Sequence, residues 1–132
     1  MMVVDSSAVM AFLCGAPQAD QIEELLDVTA VSHMSAVTAF ECRALLFVRY
    51  GEPVLKEFDR LVERVGIIQR PFDRMQAALA YDAYRRFGRA HGHPARLTLA
   101  GCASYALARS LGMPLLFVGP DFAQTDVVPA LS

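Results

Sequence analysis

The chain has 132 residues, the usual size of one domain, and 55% of them are hydrophobic, which favours a buried core and excludes a disordered segment. No apolar run approaches the roughly 20 residues that cross a bilayer, and no basic flank of a secretory signal precedes Met2-Val3-Val4-Asp5. A single cytoplasmic domain spanning residues 1–132, with a formal net charge of −2, is the expectation.

Met2–Asp5 is a short apolar run that ends in a polar turn, as a buried parallel strand does. Ser6 or Ser7 can cap a helix running to about Leu13, which Gly15-Ala16-Pro17 ends. Gln18–Leu26 reads as a second helix and Thr29–His33 as a strand. Ser35 can cap a longer helix to about Tyr50, closed by Gly51. Glu52-Pro53 opens another helix that ends near Val65-Gly66, since proline is tolerated in a first turn. Ile67–Gln69 is a short strand.

Asp73 with Gln76 three residues on has the pattern of a capping box, and Gly88 stops the helix it begins. Arg89–Arg96 forms a basic loop, Thr98 caps a helix to Leu111-Gly112, and Leu115–Val118 is a second fully apolar strand. Strands alternating with helices predict an α/β fold with a mainly parallel sheet and helices on both faces. Sites in such sheets form beyond the carboxyl ends of the strands. Asp5 and Asp121 follow the two most apolar strands and mark that edge.

The net charge hides an asymmetry. Residues 1–42 carry six acids and no Lys or Arg, whereas residues 70–96 carry six arginines with His91 and His93 against Asp73 and Asp82. Such a stretch can bind a phosphate backbone, and a solvated helix face is the alternative. Arg89 and Arg96 are the candidates for phosphate contact, because arginine can grip phosphate bidentately. His91 and His93 lie in a Gly/Pro/Arg loop without the further ligands a zinc site needs. Tyr81, Tyr84, Phe87 and Tyr105 can stack on bases, but their helical spacing favours core or dimer packing. Cys14, Cys42 and Cys102 each fall among apolar residues and read as buried, reduced thiols.

Glu41 is the most informative single residue. Val37, Glu41, Ala44, Leu45 and Val48 share one largely apolar helical stripe, where an ionised carboxylate is costly unless it is paired or binds a cation. A salt bridge to Arg43 or Arg74 is one solution. A metal-facing role is the other, and it is better supported because Asp5 and Asp121 converge on the same sheet edge. Gathered carboxylates repel one another, and a hard divalent cation such as Mg²⁺ resolves the repulsion.

The segments Met2-Val-Val-Asp5-Ser-Ser7-Ala, Ser35-Ala-Val-Thr-Ala-Phe-Glu41, His93-Pro-Ala-Arg-Leu97, Cys102-Ala-Ser-Tyr-Ala-Leu-Ala108 and Leu115-Leu-Phe-Val-Gly-Pro-Asp121-Phe follow one another in an order that resembles the PIN-domain ribonuclease toxins of bacterial toxin–antitoxin pairs, the VapC type. Thr125-Asp126 completes the match, which covers nearly the whole chain. The resemblance implies a three-layer α/β/α fold and an endoribonuclease dependent on Mg²⁺, with Mn²⁺ as a substitute, whose pocket has about four acidic positions.

Asp5 and Glu41 match two of those positions, and Asp121 matches the last in preference to Asp126 because it lies nearer the strand end. Ser7 matches a polar residue that orients the first aspartate. The resemblance also implies an RNA substrate, a homodimer, and an antitoxin of the VapB type that can build a larger assembly and is the only link to DNA. No membrane partner is implied.

One position departs from the family pattern. Gly101 stands where relatives of this type carry a metal-binding aspartate before the Ser-Tyr-Ala-Leu-Ala helix. Glycine supplies no ligand, and it is about 1 kcal/mol worse than alanine inside a helix. Two readings stay open: a toxin with a weakened site, or a PIN-fold module that binds antitoxin or RNA without efficient cleavage. A receiver domain would need an acidic pair after the first strand and a lysine after a late one, but Lys56 is the only lysine and lies in a helix. A haloacid-dehalogenase phosphatase would need Asp-x-Asp where Asp5-Ser6-Ser7 stands.

Overall fold

The computed structural model describes residues 1–131, and of His91 the backbone only. Four strands form one sheet: β1 (Met2–Val4), β2 (Ser32–Ser35), β3 (Ile68–Arg70) and β4 (Leu115–Leu116). Their order is β3-β2-β1-β4 and every pairing is parallel, with Val3 opposite both His33 and Leu115. Six helices connect them: α1 (Ser6–Leu13), α2 (Ala19–Val28), α3 (Ala36–Tyr50), α4 (Leu55–Val65), α5 (Arg74–Phe87) and α6 (Leu99–Leu111).

The period-2 alternation of a strand sorts the core into two layers. Met2 and Val4 face one side, where they pack with Met34, Val9, Ile22, Leu46 and Phe58 from β2 and α1–α4. Val3 and Leu115 face the other, against Ala83 and Phe87 of α5 and Tyr105 and Ala106 of α6. The three-layer α/β/α arrangement follows, and β1 is central because both of its faces are buried. Among the described residues no helix is long and apolar enough to cross a membrane.

Three caps lie where local sequence places them. Ser35 Oγ accepts from Val37 N (3.2 Å), Asp73 Oδ1 from Gln76 N (3.0 Å), and Thr98 Oγ1 from Gly101 N (3.0 Å). The box at Asp73 is only half formed, because the Gln76 side chain donates to Ser110 Oγ (2.8 Å) instead of reaching back. At α1 the expectation is corrected: Asp5, and neither serine, is the N-cap. The second strand also begins later than the apolar pattern predicts. Thr29 belongs to the end of α2, where its hydroxyl donates to Leu25 O (2.6 Å), so pairing with Met2 begins only at Ser32.

Gly88 ends α5 for a steric reason. A Cβ there would lie 2.1 Å from the Tyr84 carbonyl oxygen, so no other residue fits without moving the backbone. Leu97 N donates to Phe87 O and Arg89 N to Leu97 O, each at 3.0 Å, which closes the base of the loop between α5 and α6.

Candidate active site

Asp5 follows β1 directly and its carboxylate is buried, with the residue 4% exposed. One oxygen, Oδ2, accepts from the Ser7 backbone N–H (3.0 Å) and from Ser7 Oγ (2.7 Å). The other, Oδ1, accepts from Ser104 Oγ (2.6 Å) on α6. Ser7 Oγ in turn accepts from Val118 N (3.0 Å), which ties α1 to the chain leaving β4. Ser104 Oγ also lies 2.9 Å from Thr38 Oγ1 on α3. Charge-assisted hydrogen bonds and the positive end of α1 offset the cost of burying this carboxylate.

Ser7 was legible in sequence as the partner of Asp5, and Ser104 and Thr38 were not. Their only local signal is a wholly buried hydroxyl inside an apolar helix segment.

Glu41 sits one turn after Thr38 and is half-buried. The apolar stripe assigned to it is not the core face of α3. The buried residues of that helix are Thr38, Ala39, Cys42 and Leu46, whereas Leu45 and Val48 are 43% and 84% exposed. Helix α3 has apolar side chains on two faces, and Glu41 lies at the boundary of the outer one. Arg43 pairs with Asp59 (2.9 Å), and among the described residues neither Arg43 nor Arg74 forms a salt bridge with Glu41. Burial raises the Glu41 pKa, the Ser6 hydroxyl moderates the shift, and the Asp5 charge adds to it.

These two acids open onto a cleft of about 130 Å³ whose wall also includes Ser7, Thr98, Gly101 and Asp121. Asp121 is exposed at the rim, immediately before the short 3₁₀ turn Phe122–Gln124. Asp126 points elsewhere: it accepts from Tyr105 Oη (2.5 Å) and Arg86 Nη2 (3.3 Å), with Arg109 Nη1 at 3.8 Å. The structure therefore brings Asp5, Glu41, Asp121 and the Gly101 position to one cleft and leaves Asp126 outside it.

Gly101 is buried in the first turn of α6, and its backbone does not have the positive φ that would require glycine. A Cβ added there would meet Thr98 Oγ1 at 3.2 Å and Phe122 Cζ at 3.6 Å, a tight but adjustable fit. Among the described residues no three His, Cys, Asp or Glu side chains stand close enough to form a ready-made metal cage.

The basic stretch divides in two. Arg85 and Arg86 are paired with Asp82 and Asp126, whereas Arg89 and Arg96 are exposed and form no ion pair among the described residues. Arg96 has φ 53° and adjoins Leu97 and Thr98 of the cleft wall. His93 accepts from Ala95 N through Nδ1 (3.0 Å) and packs edge-on against Phe87, a structural role; the His91 side chain lies outside the description. Phe87 and Tyr105 pack together in the core, while Tyr81 and Tyr84 line an apolar groove of about 560 Å³ with Phe40, Leu45 and Leu99. Glu41 lies on the shared border of groove and cleft.

Of the three thiols, Cys42 and Cys102 are buried, and burial pushes Cys102 up to about 11. Cys14 corrects the reading of three buried thiols: it is exposed just after α1 and accepts from Tyr50 Oη (3.1 Å).

The PIN domain family model matches residues 2–128. Ribonuclease VapC42 of Mycobacterium tuberculosis is 43% identical over 129 residues, covering 98% of each chain. Among solved structures, Mycobacterium tuberculosis VapC20, described as a sarcin–ricin loop cleaving toxin, aligns over 100% of both chains with TM-score 0.80 at 18% identity. A toxin–antitoxin complex from Klebsiella pneumoniae contains a chain that aligns over 98% of its length and 100% of this one, with TM-score 0.72 at 14% identity.

The raised pKa of Glu41 gives a signed prediction. A carboxyl group that holds its proton more tightly when folded contributes stability at low pH, and that contribution is lost as pH rises through the folded value. Glu41→Gln escapes the loss. In chelator, its unfolding midpoint should gain on the native chain between pH 4 and pH 7, as followed by circular dichroism. An advantage that is the same at both pH values would contradict the assignment.

Proposed function

We propose how the cleft works from the premise that this chain belongs to the PIN-domain family. It is a ribonuclease of the VapC type, the toxin of a toxin–antitoxin pair and a hydrolase of RNA phosphodiester bonds. The observation that carries the site assignment is the shared cleft of Asp5, Glu41 and Asp121. An antitoxin of the VapB type is its protein partner, and any DNA contact is made through that antitoxin. An RNA substrate and two buried, reduced thiols fit a cytoplasmic protein.

The donor set fits Mg²⁺, with Mn²⁺ as a substitute. All three side chains offer hard oxygen ligands, and Glu41 is held in its charged form only against burial and the charge of Asp5. A cation relieves that repulsion. Mg²⁺ typically uses one or two carboxylates and completes its shell with waters and substrate phosphate, a need that Asp5 and Glu41 can meet. When bound, the ion supplies a Lewis acid to the phosphodiester and lowers the pKa of the water it holds. Asp5 and Glu41 would hold it inside the cleft, with Asp121 at the rim. Arg89 and Arg96 grip the flanking phosphates as the RNA crosses the loop.

Gly101 favours a second reading. No side chain fills the cleft wall there, so the site carries one ligand fewer than the family pattern, and binding of RNA or antitoxin can outlast efficient cleavage. Mg²⁺-dependent cleavage of RNA by the native chain, Gly101→Asp and Asp5→Asn separates the readings. We expect Gly101→Asp to cleave at least about tenfold faster. Asp5→Asn in that background should lose on the order of 100-fold, as several kcal/mol of charge stabilisation implies. Native cleavage as fast as Gly101→Asp would contradict the weakened site, and indifference to Asp5→Asn would remove the cleft from the chemistry.

The apolar groove is the surface for a second copy of this chain. Phe40, Tyr81 and Leu99 are 73%, 70% and 76% exposed around it, large apolar side chains gathered on one surface. Permanent homodimers bury surfaces of this kind. Sedimentation should find a dimer at micromolar concentration and a monomer for Tyr81→Glu. A monomeric native chain would overturn the proposal.

A further inference from the structure

We propose that Ser104, backed by Thr38, is a positioning residue of the acidic site: its hydroxyl fixes the direction in which Asp5 presents its remaining lone pair to the cleft. The proposal rests on the reading of that cleft as a divalent-cation site. An ionised carboxylate has about four lone-pair directions. Around Asp5, two on Oδ2 are taken by the Ser7 amide and hydroxyl, and one on Oδ1 is taken by Ser104. One direction on Oδ1 is left, and Asp5 lines the cleft.

Ser104 has a single hydroxyl proton. That proton is committed to Asp5, so in the 2.9 Å contact with Thr38 the threonine is the donor. Both residues are 0% exposed, and bulk water offers neither of them another partner. The chain of donation therefore runs one way, from Thr38 to Ser104 to Asp5. It joins three elements: α3 one turn before Glu41, α6 one turn after Gly101, and the end of β1. Ser104 is thus the polar group by which α6 reaches Asp5, on a helix whose cleft-facing glycine offers no side chain.

Replacing Ser104 by alanine leaves Asp5 Oδ1 without its donor and Thr38 without its acceptor, in a place closed to solvent. The cap of α1 survives, because both Ser7 contacts are on Oδ2. The loss therefore falls on the aim of the carboxylate more than on the helix.

The test is binding of Mn²⁺ alone, titrated by the paramagnetic resonance of the free ion, in the native chain and in Gly101→Asp. Folding of each variant is checked by its thermal transition. We expect Ser104→Ala to weaken Mn²⁺ binding about tenfold or more, as loss of a ligand's supporting hydrogen bond does. Thr38→Val should weaken it in the same direction by less, and Ser104→Thr, which keeps the hydroxyl, should bind as its parent does.

Unchanged affinity in a folded Ser104→Ala protein overturns the proposal, as does a Ser104→Thr variant as weak as Ser104→Ala. If Ser104→Ala does not fold, unchanged affinity in Thr38→Val overturns it instead. Asp5→Asn separates the two levels. If it leaves Mn²⁺ binding intact, or if neither background binds Mn²⁺, the cation site itself is lost. If it abolishes binding while Ser104→Ala does not, only the role of Ser104 falls.

Discussion

A carboxylate taken out of water at the end of a buried strand carries a desolvation cost that the fold must meet on the spot. Around Asp5 that cost is met by three donors from two helices, and the two hydroxyls among them also join elements far apart in the chain. Ser7 lies in the first turn of α1 and its hydroxyl accepts from the Val118 amide, which leaves the ladder just beyond β4. Ser104 brings in α6 and, through Thr38, the helix that carries Glu41. The same side chain is N-cap, sheet-edge staple and cleft wall. The geometry of the site is therefore a consequence of how β1 ends.

The charge of the cleft follows from that arrangement. Glu41 is half-buried, and its pKa is raised first by that burial and further by the charge of the neighbouring Asp5. Asp121 adds a third carboxylate only at the exposed rim, and Gly101 adds none. The chain keeps the frame of a PIN domain, with no side chain at position 101 of the cleft wall. The apolar groove beginning on the far side of Glu41 adjoins the acidic cleft.

Much of this was legible in sequence where the governing interactions are local. Caps at Ser35, Asp73 and Thr98 depend on residues two or three positions away, and the alternation of Met2, Val3 and Val4 is enough to place β1 between two layers. Asp5 and Asp121 could be brought to one sheet edge because parallel topology dictates where strand ends gather, and Glu41 reaches the same cleft from α3. The failures have tertiary causes. Residues 5 and 104 are 99 positions apart, and no periodicity states which buried hydroxyl faces which acid. The apolar stripe of α3 does not show from its spacing whether it faces core or groove, because apolar side chains that line a groove repeat with the same period as those that line an interior. Thr29 has strand propensity, yet its hydroxyl ends a helix.

The central claim is that the buried Asp5 carboxylate holds one side of a cation site. Anomalous diffraction from crystals soaked in Mn²⁺ tests it most directly. A peak is expected in the cleft with Asp5 Oδ1 and Glu41 as its protein contacts, and Ser104 still on Asp5. A peak bound elsewhere on the chain, with the Asp5 cleft containing none, would contradict it.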